Sequence, residues 1–171
     1  GIKMAEYQVV CGRLSQIVFQ NEENGYAVIR LTADDGEEIT ATGCMPALGL
    51  GEELTLYGKW ITHPSYGEQF TAESFERHLP ESVRGIADYL GSGIIKGIGQ
   101  RLAEKIAHTF GEQTFDILQN EPEKLCEIRG ITLKKAKLIS QQYIEMSEMR
   151  LLMDFLLENG LPVWLTPRLY K

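Results

Sequence analysis

The chain has 171 residues, 43% of them hydrophobic, which is enough for one generous domain or two small ones, each with its own core. Its formal net charge of −7 opposes affinity for phosphates, which comes largely from Lys and Arg, so any nucleic-acid role has to rest on where the charges are placed. Cys11, Cys44 and Cys126 are too few and too scattered for a disulfide framework, and no apolar run approaches a membrane span, so a soluble, reduced, cytoplasmic protein is expected.

Gly1-Ile2-Lys3 before Met4 reads as an expression remnant. From Tyr7 to Leu79 the chain alternates like strands. Tyr7 to Gln20 forms the first, and Tyr26 to Thr32 with Glu38 to Gly43 forms a hairpin about Asp34-Asp35-Gly36. Leu54 to Thr62 and Gln69 to Glu76 pair through His63-Pro64-Ser65-Tyr66-Gly67. Five antiparallel strands with a Gly-rich connection from Ala47 to Gly51 suggest a small closed barrel, of the oligonucleotide/oligosaccharide-binding (OB) type or, on strand count alone, SH3-like. Tyr26, Trp60, Tyr66 and Phe70 are candidates for stacking on bases, or for ordinary core.

Pro80-Glu81-Ser82 marks a boundary. Ser82 caps a helix through Val83, Ile86, Ala87 and Leu90 that Gly91-Ser92-Gly93 ends. A helix is expected from Gln100 to Phe110, closed by Gly111, then one over Thr114 to Gln119, a short one after Glu121-Pro122, and one over Leu133 to Met146. Met149 to Gly160 reads as a separate capped amphipathic helix, and Leu161 to Lys171 as the start of a further element, as if cut from something longer. The expected units are therefore 4–79, a barrel; 80–146, a helical unit; and 147–171, a truncated helical region. Charge is uneven between them. Met4 to Leu79 holds 4 Lys+Arg against 12 Asp+Glu (4 − 12 = −8), and Pro80 to Ile144 holds 9 against 8 (9 − 8 = +1).

The helical part repeats itself. Lys96-Gly97-Ile98-Gly99-Gln100-Arg101-Leu102-Ala103-Glu104-Lys105-Ile106 aligns without a gap on Arg129-Gly130-Ile131-Thr132-Leu133-Lys134-Lys135-Ala136-Lys137-Leu138-Ile139, at an offset of 130 − 97 = 33. A Gly-Ile-Gly turn opening a helix lets the backbone approach a partner closely and offers unpaired N–H donors, which suit a phosphate. In the second copy Thr132 replaces the second Gly, so approach there is less free, although its hydroxyl can cap a helix or donate to a phosphate.

Two such copies resemble the helix-hairpin-helix family, whose paired hairpins grip the nucleic-acid backbone through main-chain amides without reading bases. On that resemblance Gly97, Ile98, Gly99, Gly130, Ile131 and Thr132 would donate from the backbone, and Lys96, Gln100, Arg101, Lys105, Arg129, Lys134 and Lys135 would supply side-chain contacts. Further residues extend the likeness to the whole chain after Met4. Asn24-Gly25-Tyr26, His63-Pro64-Ser65-Tyr66-Gly67-Glu68-Gln69-Phe70, the tandem hairpins and Asp154-Phe155-Leu156-Leu157-Glu158-Asn159-Gly160 together resemble the amino-terminal region of RecD-like DNA helicases, related to the exonuclease V alpha chain. The resemblance implies an α+β, two-unit architecture, an OB-like barrel followed by an all-α helix-hairpin-helix tandem. It also implies an ATP-driven motor moving 5′ to 3′ on single-stranded DNA further along the polypeptide. The partners implied are DNA, single-stranded or junction, held through phosphates, and the motor domains of the same chain.

No catalytic chemistry is encoded here. A phosphate loop needs G-x-x-x-x-G-K-S/T, and Gly58-Lys59 has Glu53 where the first Gly belongs. Gly97-Ile98-Gly99 fails the dinucleotide fingerprint because Leu102 takes the third Gly position. His63, His78, His108 and the cysteines lack metal-ligand spacing, and Asp116 reads as a capping or surface residue. No cofactor is therefore expected on this fragment, with ATP and Mg belonging to the motor. Two other readings stand beside this one: a Holliday-junction binder of the RuvA kind, which also places tandem hairpins after an OB barrel, and a non-catalytic protein-interaction scaffold.

Overall fold

The computed structural model describes residues 7–161; the residues expected to be an expression remnant and nearly all of the expected final element lie outside them. Contacts divide the chain into two compact units, one ending at Leu79 and the next beginning at Pro80.

The first unit is a closed barrel of β1 (Gln8–Gln20), β2 (Tyr26–Thr32), β3 (Glu38–Cys44), β4 (Glu53–His63) and β5 (Gly67–His78), ordered β1-β2-β3-β5-β4. β1 closes it by serving two partners: Gln8 to Arg13 pair with β4 and Arg13 to Gln20 with β2, across register shifts after Leu14 and Ile17 that bend the strand. The expected antiparallel pairing holds at four seams, and the fifth, β3 with β5, is parallel. Parity requires this: strand direction cannot alternate all the way around a closed ring with an odd number of members. Alternation along β2 sends Ala27, Ile29 and Leu31 inward against Leu14, Ala41, Leu54, Leu56 and Phe70. Each large aliphatic side chain so buried contributes about 1.5–3 kcal/mol. Where three strands converge, a Cβ on Gly58 would overlap the Thr71 carbonyl oxygen and one on Gly43 would meet that of Ala72 at 2.6 Å, so only glycine allows the seam to close.

The connection between β3 and β4 plugs the barrel with Met45 and Leu48. It is tied down by charge as well. Arg77 Nε lies 3.2 Å from the carboxylate of fully buried Glu52, and Arg77 Nη2 donates to the Pro46 and Ala47 carbonyls at 3.1 and 3.0 Å. Glu52 in turn accepts from the Gly49 N–H.

The second unit contains α1 (Val83–Leu90), α2 (Gln100–Phe110), α3 (Thr114–Asn120) and α4 (Leu133–Glu158), with 3-10 turns at Gly111–Gln113 and Pro122–Glu127. Ser82 accepts from the Gly85 N–H and so caps α1. Ile86, Leu90, Ile95, Ile106, Leu118, Leu125 and Ile139 form its interior together with an aromatic run. In that run Tyr89 meets Phe115 edge-on at 5.5 Å and Phe115 stacks on Tyr143 at 5.7 Å. Burial raises the pKa of the Tyr143 phenol, opposed by its bond to Ser147 and the Arg150 charge. One expectation fails here. The helix does not stop near Met146 to restart at Met149; α4 is a single helix of 26 residues. Ser147-Glu148 contains no Gly or Pro to break it, and Arg150 Nη1 donates to the Tyr89 hydroxyl at 2.6 Å, holding the following turn against α1. The helix ends instead at Asn159 and Gly160, the latter at φ 68°, with Leu161 N–H donating to Leu156 O at 2.7 Å.

Candidate nucleic-acid interface

The sequence repeat is a structural repeat at the same offset. Gly97 has φ 91° and Gly130 φ 99°; two residues on, Gly99 and Thr132 are the N-caps of α2 and α4; Ala103 N–H donates to Gly99 O and Ala136 N–H to Thr132 O, each at 2.9 Å. A left-handed φ is open to glycine and resisted by residues with a Cβ, which explains why the first glycine is kept in both copies. The residue between, Ile98 or Ile131, is 5% exposed in each copy. Its side chain anchors the turn in the core and leaves only backbone to face a ligand. Nothing lies within 4 Å of a Cβ placed on Gly97, Gly99 or Gly130, so both turns stand open to solvent.

The two copies differ in which N–H groups remain available. Gly99 brings no side-chain cap, so the first turn of α2 keeps its orphan donors at Gln100, Arg101 and Leu102. Thr132 caps α4, its Oγ1 accepting from Lys135 N–H at 3.1 Å, and Ile131 N–H is used in a turn bond to Ile128 O at 3.1 Å. These two bonds remove two amides from the candidate donors of the second copy. Thr132 also sits at φ −79°, an ordinary extended conformation, so its position never required glycine. The threonine is a cap in its own right.

Around the turns, Lys96, Arg101, Lys105, Arg129 and Lys134 are exposed and Lys135 is half-buried. Among the described residues none of the six is held in an ion pair. Gln100 is different: its Nε2 donates to Glu104 Oε1 at 3.3 Å, turning the side chain along α2. Asp116 sits on α3, where its carboxylate accepts from Asn120 at 2.7 Å.

On the barrel, Tyr66 is 77% exposed and Tyr26 and Trp60 about half as much, whereas Phe70 is fully buried, with the Trp60 ring edge-on to it at 5.4 Å. Phe70 is therefore core and no stacking platform. Sequence reasoning missed Phe19, which is 51% exposed with its ring 6.5 Å from that of Tyr26. It stands one residue before the end of β1, across from Val28.

Residues 7–80 match the family described as "ATP-dependent DNA helicase YrrC, OB-fold domain", and residues 90–142 match the SAM-like helix-hairpin-helix tandem. A curated relative, the ATP-dependent RecD2 DNA helicase of Deinococcus radiodurans, is 32% identical over 132 residues, which cover 72% of this chain and 18% of the relative. A solved S. pombe Stn1-ten1 complex overlaps 42% of this chain and 57% of its own at 17% identity and a TM-score of 0.36, too slight a likeness to bear on the fold. With the barrel and the paired hairpins each matched in place, the chain belongs with the RecD-like DNA helicases, as an OB-fold domain of the YrrC kind joined to a helix-hairpin-helix tandem.

Proposed function

We propose that this chain is an accessory DNA-binding region of an ATP-dependent 5′–3′ DNA helicase, holding the phosphate backbone without reading bases. The observation that carries it is the first hairpin, where an open glycine turn, an uncapped helix start and unpaired Lys96 and Arg101 converge on one exposed stretch. Lys105 extends that stretch, and Gly130, Thr132, Arg129, Lys134 and Lys135 form a second, weaker grip. Single-stranded or junction DNA is the proposed ligand, with the motor domains of a longer, cytoplasmic polypeptide as the partner. ATP and Mg are assigned to that motor, since these 171 residues contain no phosphate loop. The −8 charge balance of the barrel favours a protein-facing role for that unit over a phosphate-facing one.

The test is fluorescence anisotropy at low salt with two single strands of unrelated sequence and with a four-way junction. Equal affinities for the two strands that fall together as salt rises are expected. Absence of binding at low salt would discard the phosphate grip in favour of a protein-interaction scaffold, and a strong preference for four-way junctions would favour the junction-binding reading.

A further inference from the structure

Gln142 lies on α4, in the second hairpin, yet its side-chain amide is engaged with the first. Lys96 N–H donates to Gln142 Oε1 at 2.9 Å, and Gln142 Nε2 donates to the Lys96 carbonyl at 3.3 Å. The two bonds bracket the backbone at the residue before Gly97, where the chain enters its left-handed turn. This bracket is not a by-product of the repeat. The corresponding residue of the first copy is Thr109 (142 − 33 = 109), whose hydroxyl donates to Lys105 O at 2.6 Å within its own helix. Among the described residues no side chain brackets Arg129. The second turn is held from within, by Thr132 and by the Ile131–Ile128 bond, and the first is held from outside by Gln142.

Resting on the phosphate-grip reading above, we propose that Gln142 is a positioning residue for DNA binding: it fixes the Lys96–Gly99 turn in its donor-presenting conformation and makes the first hairpin the stronger grip. Two physical effects act together. A turn ordered before the ligand arrives loses less conformational freedom on binding. The Lys96 carbonyl, satisfied by Nε2, no longer presents an unpaired acceptor beside an incoming anion. The Lys96 ammonium stays exposed throughout.

The experiment uses Gln142→Met, similar in length, without a donor and with only a weak acceptor, and Gln142→Glu, which keeps the acceptor for Lys96 N–H but sets a second acceptor against the Lys96 carbonyl. Amide hydrogen exchange at Lys96 and Gly97 is read in the DNA-free protein, and anisotropy is read with single-stranded and duplex DNA. Each variant is also combined with Gly97→Ala and, separately, with Arg129→Gln. Gln142→Met, which loses both bonds, should exchange Lys96 faster and bind DNA about three- to tenfold more weakly, and Gln142→Glu, which loses only the bond to the Lys96 carbonyl, should show smaller changes in the same direction. The loss should vanish in the Gly97→Ala background, where the turn is already disordered, and persist in full beside Arg129→Gln. Unchanged exchange, unchanged affinity, or a loss that adds in full to that of Gly97→Ala would overturn the positioning role. If the wild-type chain binds no DNA at low salt, the phosphate reading fails and takes this role with it, while the exchange data report separately whether the bracket forms in solution.

Discussion

At Gly97 the backbone φ of 91° admits glycine and strains any residue with a Cβ, although space around that position is open. At Gly99, φ −87° and ψ 179° are accessible to every residue, and the position works as an N-cap. The same letter in a Gly-Ile-Gly turn thus answers two different requirements, and Thr132 shows that the second can be met by a hydroxyl. Gly97→Ala should lower stability by about 1–2 kcal/mol and weaken DNA binding. Gly99→Thr should leave stability unchanged or raise it by a few tenths of a kcal/mol. Urea unfolding of both variants measures the difference, and equal destabilisation would show that conformation does not distinguish the two glycines. The importance of Gly97 was legible from the repeat alone. The distinct role of position 99 was not, because dihedrals are set by where the helix begins rather than by residue type.

Strands and helices were legible wherever the chain carries its own punctuation: Asp35-Gly36 between β2 and β3, Ser82 ahead of α1, and Gly111 after α2. The unbroken α4 was not legible, since its two halves bury different faces: Ala136, Ile139 and Tyr143 in the first, Leu156 in the second. Two apolar stripes out of phase read as two helices, yet a backbone without a breaker continues through the change of face. The Glu52–Arg77 pair was also invisible, because the partners lie 77 − 52 = 25 residues apart and meet only when β4 and β5 pair their ends. That pair anchors an element. Arg77→Leu strands a carboxylate of 0% exposure and frees the Pro46 and Ala47 carbonyls, so a loss of about 3–5 kcal/mol is expected. Denaturant unfolding of the chain checks it, and a change below about 1 kcal/mol would place the pair in effective contact with water.

At the scale of the whole molecule, acidic and near-neutral units share one chain, −8 from Met4 to Leu79 against +1 from Pro80 to Ile144. On the proposed grip, affinity for DNA rests on a few local contacts acting against an unfavourable net field, and it falls with salt in proportion to the number of phosphates those contacts neutralise. Replacing Lys96 and Arg101 with Gln should flatten the slope of log K against log salt by up to about 0.9 per lost contact on duplex and about 0.7 on single strands. Replacing Lys134 and Lys135 should flatten it less, because Lys135 is half-buried and the second turn has fewer amides left to reinforce a phosphate there. Neither pair should change the ratio of affinities for two unrelated sequences, since contacts to phosphate carry no base information. Salt titrations on both sequences, with folding monitored by thermal unfolding, decide the matter. A larger effect from the second pair would invert the proposed order of the grips, and an altered sequence ratio would mean that these side chains reach the bases.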